Sequence, residues 1–576
     1  RKQFNVIKEL LKKADEVYLA SVSYDTPLLV FDKDMKPIFT EIGRWADKFF
    51  DNELYENQDR QQVLLNDDYF CLAFDKDGNI SLRRIRGIVR HRANRHRIYR
   101  VKTEYGREVH ATEHHSFFTY KDGEIVPVFT KDLNAGDMVL IPKKVNLPEK
   151  EIVLDLLNIL KDHPDIEIES AKLEKYLIER AYKRTHEFYG DVAVFNRESI
   201  EEIKNKRIEK GLSQREIAEM IGITQSGISV FERGISNLRL ENARKLLEVL
   251  NLRHIGYSIK VDGRVINTFN LCNKEHKSNK SKTRRKILFA MLDEDAKRFL
   301  LDKCDDVIIR IKGTNGGRVS FKRYMHLDEY MAYFLGVFMA DGNISVKQNF
   351  IRIYLGTKKP TYGELKYNVL KFLEKNNITY KVLNYNNLEE IRIYSKVLIY
   401  LLVNFFKIGK RGNIKRRGEH KDIPDIMFIA KNSVKEAFVK GYLNSDGAVI
   451  NRGRRANQKW LITTASSNIA RKLPYLLLSL GYTANFNLIN RKKTNIWCGY
   501  VSNTFRKDRG VPLKDIAMVK IEEIEEIKTE HPYVYDLSVE TNTHGNFICG
   551  LNGGICQHNT DSGREGELIG RLILYH

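Results

Sequence analysis

The tripeptide His558-Asn559-Thr560 carries side chains that could act together on one peptide bond. The amide nitrogen of Asn559 can attack its own backbone carbonyl and so cleave the bond that follows. The preceding histidine can give a proton or a hydrogen bond to that carbonyl or to the leaving amine. Thr560 offers a hydroxyl nucleophile on the far side of the same bond. The tripeptide is also an ordinary loop sequence, so this chemistry needs support from elsewhere in the chain.

Other stretches, distant in the chain, provide that support when they are taken together with the tripeptide. They resemble the motifs of an intein, a protein-splicing element, and they follow the order that this family shows. The matching stretches before the junction are Ser21–Val30, Gly106–His115, Val534–Glu540 and His544–Phe547. Tyr24 stands where a glycine is usual, and 554–557 stand where a more apolar strand is usual. Neither departure removes a reacting atom.

The resemblance implies a self-excision reaction that needs no cofactor. The hydroxyl of Ser21 would attack the carbonyl of Ala20 and form an ester. Thr112 and His115 would polarise or distort that peptide and protonate its leaving nitrogen. The hydroxyl of Thr560 would then attack the ester and take over the N-terminal flank.

The resemblance also implies roles at the other junction. Asn559 would cyclise to a succinimide, assisted by His558 and His544, and release the insert. Asp536 and His544 are candidates for proton handling while the flank is transferred. The ester that joins the flanks would finally rearrange to a peptide.

The two flanks, 1–20 and 560–576, are each too short to be a domain. Joined, they predict a helix, a strand, an acidic loop and a second helix, with carboxylates at the end of the strand. This unit resembles the metal-binding Toprim motif of type IA DNA topoisomerases, in which carboxylates hold Mg²⁺. Asp561 and Glu565 match that motif, whereas Gly563 replaces its middle aspartate.

Between the splicing motifs, an apolar helix that ends in Asp-Gly occurs twice, at Phe334–Gly342 and at Val439–Gly447. One such helix end is commonplace. Two in tandem, each followed by strands and an amphipathic helix, resemble the paired motifs of a LAGLIDADG homing endonuclease. The resemblance implies that Gly336 and Gly441 let the two helices touch closely.

In such an enzyme the aspartates at the two helix ends, here Asp341 and Asp446, would share Mg²⁺ across the scissile phosphates. A basic residue should support the chemistry. Lys396 is the candidate in the first repeat, and Lys492 and Lys493 cannot be separated in the second.

A third pattern, over 211–234, predicts a capped helix, a tight turn and a second helix that ends at a glycine. It resembles the helix-turn-helix of phage repressors, and the alternative is a helical bundle that does not bind DNA. In such a module, exposed polar residues at the start of the second helix reach base edges. These residues are Thr224, Gln225, Ser226 and Ser229.

The 97 lysines and arginines exceed the 75 acidic residues and give a formal charge of +22, which indicates a polyanionic partner or a generally basic proteome. The basic run 83–92 is typical of a solvated strand face, with DNA contact as the alternative. The loops 407–417 and 451–459 would track phosphates or form a soluble face. No long apolar stretch predicts a membrane span, and the six cysteines show no paired spacing, so a reducing cytoplasm is expected.

The predicted fold class is multidomain α+β. It combines an all-β Hint-type splicing domain, an inserted α+β LAGLIDADG endonuclease with pseudo-twofold symmetry, and an all-α helix-turn-helix module. The predicted segments are an N-terminal flank (1–20), the first part of the splicing domain (21–145), an insertion of unknown role (146–197), the helix-turn-helix (198–255), a linker with an unassigned segment (256–325), the endonuclease (326–510), the second part of the splicing domain (511–559) and a C-terminal flank (560–576).

Two functional hypotheses remain open. In the first, an intein interrupts a type IA topoisomerase, splices itself out, and cuts double-stranded DNA at the uninterrupted gene with Mg²⁺, acting as a cytoplasmic monomer. In the second, the insert binds DNA without cutting it, and its splicing residues are inactive relics.

Overall fold

The computed structural model describes residues 21–50, 60–188, 192–252, 254–261, 264–267, 287–312, 319–345, 348–408, 419–450, 459–491, 494–502, 510–540 and 545–558. Both predicted flanks lie outside these ranges. The chain divides into two compact units. Unit 1 comprises 1–154, 313–319 and 325–576, and unit 2 comprises 155–312 and 320–324.

The first part of unit 1 is rich in strands, because apolar residues run continuously or alternate along short segments separated by turns. Its elements are β1 (Val22–Ser23), β2 (Pro27–Phe31), β3 (Pro37–Glu41), α1 (Ile42–Ala46), β4 (Arg60–Phe74), β5 (Ile80–Arg92), β6 (Ile98–Thr103), β7 (Glu108–Thr112), β8 (Ser116–Lys121), β9 (Glu124–Phe129) and β10 (Met138–Pro142).

The middle of the chain mixes helices with short strands. Its elements are β11 (Val153–Asp155), α2 (Leu156–Leu160), β12 (Ile166–Glu169), α3 (Ala171–Phe188), β13 (Val192–Val194), α4 (Arg197–Glu209), α5 (Gln214–Ile221), α6 (Gln225–Glu232), β14 (Leu238–Arg239), α7 (Leu240–Val249), β15 (Ser258–Val261), β16 (Arg264–Asn267), β17 (Ile287–Leu288), α8 (Glu294–Lys303), β18 (Ile308–Ile311), β19 (Phe321–Lys322) and β20 (Tyr324–His326).

The helices α4 to α7 pack around one apolar core in unit 2, but the prediction that this module is entirely α-helical is wrong. Strand β13 pairs with β14 and with β15, and Ala193, Phe195 and Leu238 belong to the same core as the helices. These strands bury apolar side chains that the helices alone leave uncovered. The module therefore starts before residue 198 and continues beyond 255.

The segments that carried no recognisable motif, 146–197 and 256–325, contribute strands to a common sheet in the order β17-β12-β18-β19. At the boundary of unit 2, the Leu156 N–H donates to the Arg323 carbonyl over 2.8 Å. Arg323 also forms an ion pair with Asp155 at 2.8 Å. The two points where the chain crosses this boundary are thus adjacent.

Two similar helix and sheet units follow in unit 1. Their elements are α9 (Glu329–Asp341), β21 (Gly342–Ser345), β22 (Phe350–Gly356), α10 (Tyr362–Lys375), β23 (Thr379–Tyr385), β24 (Leu388–Tyr394), α11 (Lys396–Tyr400), α12 (Asn432–Asp446), β25 (Ala448–Ile450), β26 (Lys459–Thr464), α13 (Ser467–Ser479), β27 (Thr483–Arg491) and β28 (Thr494–Ser502). Their sheets have equivalent orders, β21-β22-β24-β23 and β25-β26-β28-β27, as pseudo-twofold symmetry predicts.

The last strands return to the first part of the chain. They are β29 (Ile516–Ile527), β30 (Tyr533–Val539), β31 (Asn546–Cys549) and β32 (Ile555–His558). One sheet has the order β10-β29-β6-β7-β1-β30-β5-β4-β2-β3, and another has the order β31-β32-β8-β9. Strand β1 thus lies between an early strand, β7, and a late strand, β30. The predicted all-β domain formed by both ends of the insert is present.

Among the described residues, no helix is both long enough and apolar enough to cross a bilayer.

Candidate functional site

The first residue of the predicted insert is fixed by pairing on both sides. Val22 pairs with Ala111 of β7 and with Tyr535 of β30. The Ser21 N–H donates to the Thr112 hydroxyl over 3.1 Å, and the Thr112 N–H donates to the Ser21 carbonyl over 2.9 Å. That Ser21 nitrogen is the leaving group of the first predicted step. Thr112 is thus placed to orient it.

The Ser21 hydroxyl is fully buried and has no hydrogen-bond partner among the described residues. Thr112 and His115 are equally buried. Buried polar groups normally find partners, and an exception is a candidate reactive group. The sequence-predicted residues of the first junction therefore share a water-free pocket.

His115 lies in a turn between β7 and β8, and its N–H donates to the Thr112 carbonyl over 3.0 Å. Burial, with a smaller repulsion from His558, lowers the pKa of the His115 ring to about 3, while the side chain of Gln557 acts to raise this pKa. The ring is therefore neutral at pH 7 and carries one proton. Both ring nitrogens lack a geometric hydrogen bond among the described residues.

The second junction is approached along β32. Asn546 of β31 pairs with His558, and Gln557 pairs with Phe117 of β8. The His558 ring is half-buried and lies against Phe118, with ring centroids 5.5 Å apart. His544, Asn559 and Thr560 lie outside the described residues, as do the predicted flank ligands Asp561 and Glu565.

Gln557 is a residue that the sequence signalled only as a departure from an apolar strand. Its side chain is fully buried, and neither of its polar atoms has a geometric hydrogen-bond partner among the described residues. It nevertheless lies close enough to His115 to act on the pKa of that ring. Strand β32, which leads to the second junction, thus places Gln557 close to His115 of the first junction.

Asp536 is fully buried in β30, next to the residue that pairs with β1. One carboxylate oxygen accepts from the Leu537 N–H over 2.8 Å. The negative charge of Asp536, after burial itself, raises the pKa of the Cys549 thiol well above its ordinary value. Cys556 is also buried, so both junction cysteines are protonated packing groups rather than reactive thiolates.

Tyr24, which replaces a usual glycine, has a defined place. Its ring stacks on His531 with centroids 4.0 Å apart and meets Tyr535 edge-on at 5.8 Å. The departure therefore adds an aromatic contact to the sheet that carries Ser21.

The two Asp-Gly helices, α9 and α12, pack against each other through their glycines. A side-chain carbon at Gly336 would collide with the backbone of Phe438, and one at Gly441 would collide with the backbone of Tyr333. Only a residue without a side chain permits this approach. The predicted close contact is thus explained by both glycines.

That contact brings the two aspartates at the helix ends together. Burial, and then the negative charge of Asp341, raises the pKa of Asp446 to about 6. The Ser445 hydroxyl donates to Asp341 over 2.5 Å, and the Lys359 ammonium lies 3.8 Å from the same carboxylate oxygen. Two carboxylates that repel each other at the ends of two packed helices favour a shared cation.

Among the described residues, no group of three or more histidine, cysteine, aspartate and glutamate side chains could enclose a metal ion. Mg²⁺ is commonly bound by one or two carboxylates, with substrate phosphates and waters completing its shell. The pair Asp341 and Asp446 fits that donor set.

Lys421 is a candidate that sequence reasoning missed. It is half-buried, and its ammonium donates to the Ala340 carbonyl over 2.6 Å, next to the first aspartate. Burial lowers its pKa, while Asp446 and Asp341 act to raise it. The candidate chosen from sequence, Lys396, is instead the first residue of α11. The only sequence signal for Lys421 was a Lys-Asp pair in a turn between the repeats.

A buried cation holds the Lys421 turn in place. Lys472 of α13 donates to Asp422 over 2.9 Å, to Asp425 over 2.7 Å and to the Ile423 carbonyl over 3.1 Å. Burial of a charged lysine costs less free energy when three acceptors surround its ammonium than when the ammonium has no partner.

The segment 211–234 forms two capped helices joined by a turn. Ser213 and Glu216 form a reciprocal capping box at the start of α5, and Gly222 ends that helix with a φ of 80°. Thr224 caps α6, since its hydroxyl accepts from the Gly227 N–H over 3.2 Å. Gln225 is exposed at the start of α6.

Of the remaining predicted base-contacting residues, Ser226 is exposed and Ser229 is half-buried. The Ser226 hydroxyl is 3.0 Å from that of Thr224, so the capping threonine is engaged within its own helix turn. Thr224 is therefore a helix cap, whereas the Gln225 side chain is exposed.

The basic run 83–92 in β5 is largely paired with acidic side chains. Arg84 and Arg86 form ion pairs with Asp68 and Glu540, at 2.7 and 2.8 Å. Arg90 is buried and donates to Asp47 over 2.8 Å. These pairs favour the solvated strand face over DNA contact.

Comparison with known families places most of the chain in one family. Residues 50–559 match the model of the intein splicing domain. The chain belongs to the intein splicing domain family.

Relatives of this intein domain include proteins named DNA polymerase. The chain is 24% identical over 590 residues to that of Thermococcus sp. (strain GE8), covering 90% of this chain and 30% of the polymerase. It is 22% identical over 573 residues to that of Methanocaldococcus jannaschii, covering 93% of this chain and 29% of the polymerase. The chain thus spans about a third of the length of these relatives.

Among solved structures, the transcription factor IIB Mvu mini-intein is similar to 22% of this chain and 70% of its own, with 22% identity and a TM-score of 0.19. The homing endonuclease I-DmoI in complex with DNA and Mn is similar to 31% of this chain and 90% of its own, with 14% identity and a TM-score of 0.23.

Proposed function

We propose that this chain excises the segment from Ser21 to Asn559 by autocatalytic splicing and joins Ala20 to Thr560. The observation that carries the proposal is the water-free pocket in which Ser21 lies with Thr112 and His115. Holding the reacting groups together in this way replaces an improbable encounter with an intramolecular one.

At the first junction, the Ser21 hydroxyl attacks the Ala20 carbonyl, and the bond to the Ser21 nitrogen breaks. Neutral His115 accepts the hydroxyl proton on its unprotonated ring nitrogen and passes a proton on to the leaving nitrogen, which Thr112 orients. The Thr560 hydroxyl then attacks the resulting ester and restores the Ser21 hydroxyl.

At the second junction, the amide nitrogen of Asn559 attacks its own carbonyl and expels the Thr560 amine. His558 and His544 assist, and Asp536 is assigned to proton handling during the transfer. The freed amine attacks the ester that joins it to Ala20, which yields a peptide.

Mass spectrometry of the full chain tests splicing. The expected products are a free segment 21–559 and a peptide in which Ala20 precedes Thr560. Asn559→Ala should stop release at the second junction and leave cleavage at the first. Ser21→Ala should stop cleavage at the first junction. An unchanged chain under all conditions would contradict the proposal.

A second activity, site-specific cleavage of double-stranded DNA, is supported by the pairing of Asp341 and Asp446 across the helix contact. These carboxylates would hold a divalent metal, which, when bound, stabilises charge on a scissile phosphate. Lys421 replaces Lys396 in the proposal, because its ammonium contacts the Ala340 carbonyl, next to Asp341, and both aspartates act on its pKa. From there it can neutralise a phosphate or activate a water.

The insertion site itself supplies the DNA for a test of this activity. A plasmid that carries the uninterrupted flank sequence should be linearised in the presence of Mg²⁺ by the unaltered chain. It should not be linearised by Asp446→Asn. Binding without cutting under every condition would favour the alternative, an endonuclease-inactive DNA-binding insert with a degenerate splicing domain.

The proposed host is a type IA DNA topoisomerase, since the joined flanks bring Asp561 and Glu565 into a Toprim-like order.

The exposed start of α6 supports an auxiliary DNA contact by Gln225 and Ser226. Gln225→Ala should weaken binding to the insertion-site duplex more than to an unrelated duplex. Equal weakening of binding to both duplexes would show that Gln225 makes no sequence-specific contact.

A further inference from the structure

The turn between β31 and β32 carries an asparagine whose side chain reaches outside the splicing fold. Asn552 is 5% exposed and adopts a left-handed backbone, with a φ of 57°. Strand β32 begins three residues later and ends at His558, next to the second junction. The placement of this turn therefore bears on the placement of Asn559.

The Asn552 amide pairs with a strand of the endonuclease half. Its oxygen accepts from the Phe486 N–H over 2.8 Å, and its nitrogen donates to the Phe486 carbonyl over 3.1 Å. Phe486 belongs to β27, an edge strand of its sheet. The Asn552 amide thus bonds to this edge strand as the backbone of a neighbouring strand would, and it satisfies both backbone groups of Phe486.

The same amide also reaches back into the splicing fold. Its nitrogen donates to the Gly106 carbonyl over 2.6 Å, in the turn that leads into β7. The Asn552 carbonyl accepts from the buried guanidinium of Arg107, which also donates to the Pro142 carbonyl over 3.3 Å. Asn552 therefore joins three backbone segments, and its side-chain oxygen and both amide hydrogens are used.

A second contact between the endonuclease half and this turn lies close by. The Tyr475 hydroxyl of α13 donates to the Gly550 carbonyl over 2.8 Å, and the Tyr475 side chain is fully buried. Gly553 has a φ of 95°, and a side-chain carbon there would strike Arg107 and Leu478. The turn is thus enclosed by residues of both halves.

We propose that Asn552 and Tyr475 are positioning residues for the second splice junction, so that the endonuclease half is a structural member of the splicing centre. The inference rests on the proposed splicing reaction. Anchoring the turn fixes the register of β32 against β8, and a slip by one residue would turn Gln557 and its neighbours to the opposite face. Without the anchor, the segment that leads to Asn559 loses its defined start.

The test compares the two junctions in the full chain. Asn552→Ala removes the amide, whereas Tyr475→Phe removes a single hydroxyl and keeps the packing. Tyr500→Phe is the matched control, because Tyr500 is an exposed tyrosine of the same repeat. First-junction ester is measured by hydroxylamine cleavage, and second-junction release is measured by the appearance of the free C-terminal flank.

Release at the second junction should be about tenfold slower in Asn552→Ala and about threefold slower in Tyr475→Phe, because each leaves buried polar groups unpaired. Ester formation at the first junction should change by less than about twofold, so the branched intermediate should accumulate. Tyr500→Phe should match the unaltered chain.

Equal slowing at both junctions, or none at either, would overturn the inference. If Asn552→Ala does not fold, Tyr475→Phe decides by the same measurements. An unaltered chain that never splices would refute the proposed function instead. Normal splicing by both variants would refute only the positioning role.

Discussion

The residues proposed to act at the first junction include buried polar groups without ordinary partners. The Ser21 hydroxyl, both nitrogens of His115 and both polar atoms of Gln557 are enclosed yet form no geometric hydrogen bond among the described residues. Such groups cost stability wherever they occur. In the proposed ester-forming step, they leave the Ser21 hydroxyl free of competing bonds.

The lowered pKa of His115 predicts how the first step depends on pH. A ring whose pKa is about 3 stays neutral as pH rises through 6.5, the ordinary value, so its protonation does not change there. In an Asn559→Ala chain, the rate of hydroxylamine-sensitive cleavage should show no inflection near this pH. An inflection near 6.5 that disappears in His115→Ala would contradict the prediction.

Gln557 offers a further prediction about this pocket. Gln557→Met keeps the length of the side chain and removes its polar atoms, so His115 loses the neighbour that can fix its proton. First-junction cleavage should slow about tenfold, a fraction of the effect of a proton donor itself. Gln557→Glu, which keeps an acceptor oxygen, should slow it less. An unchanged rate in Gln557→Met would show that the amide is only a packing group.

Among the elements, the contact between α9 and α12 was predictable from sequence, because Gly336 and Gly441 recur at the same place before each aspartate. The strands around Ser21 were predictable for the same reason, namely a local pattern. Lys421 was not, since it reaches the aspartates from a turn between the repeats and no periodic pattern marks it. Asn552 was missed likewise, because its partners are distant in the sequence.

The helix contact gives a prediction at this scale. Gly441→Ala places a methyl group against the Tyr333 backbone and should destabilise the chain by about 1–3 kcal/mol. Separation of the aspartates should also reduce DNA cleavage. Gly363→Ala is the matched control, because a side-chain carbon at Gly363, near the start of α10, meets nothing within 4 Å. Urea unfolding and plasmid cleavage measure both effects, and equal results for the two variants would contradict the explanation.

Lys421 can be separated from Lys396 by the same plasmid assay. Lys421→Met should abolish cleavage and retain binding to the insertion-site duplex, because it removes the ammonium beside Asp341 and Asp446. Lys396→Met should cleave more than Lys421→Met. Less cleavage by Lys396→Met than by Lys421→Met would favour Lys396, the residue predicted from the sequence.

At the scale of the molecule, unit 2 is formed by segments that the sequence left as separate pieces. Their common sheet is not apparent from sequence, because short strands such as β12 and β18 pair across more than a hundred residues. The helices of 211–234 were predictable from their capping and apolar pattern. The strands packed with these helices were missed because β13 and β14 are too short to show a period.

The adjacency of Asp155 and Arg323 predicts that unit 2 can be removed. A chain in which a short Gly-Ser linker replaces 157–322 should splice within about twofold of the parent rate, since the core around β1 lies in unit 1. Its affinity for the insertion-site duplex should fall about tenfold, with a weaker dependence on salt. Loss of splicing in a chain that still folds would show that unit 2 is needed.

One residue of the anchored turn also faces a chemical hazard. Asn552 precedes a glycine, a sequence in which an asparagine cyclises readily with the neighbouring backbone and suffers deamidation. Its amide is held by Phe486 and Gly106, away from that geometry. The same fold thus has to suppress succinimide formation at Asn552 while, in the proposed reaction, succinimide formation proceeds at Asn559, and separation of the two halves should raise the rate of deamidation at Asn552.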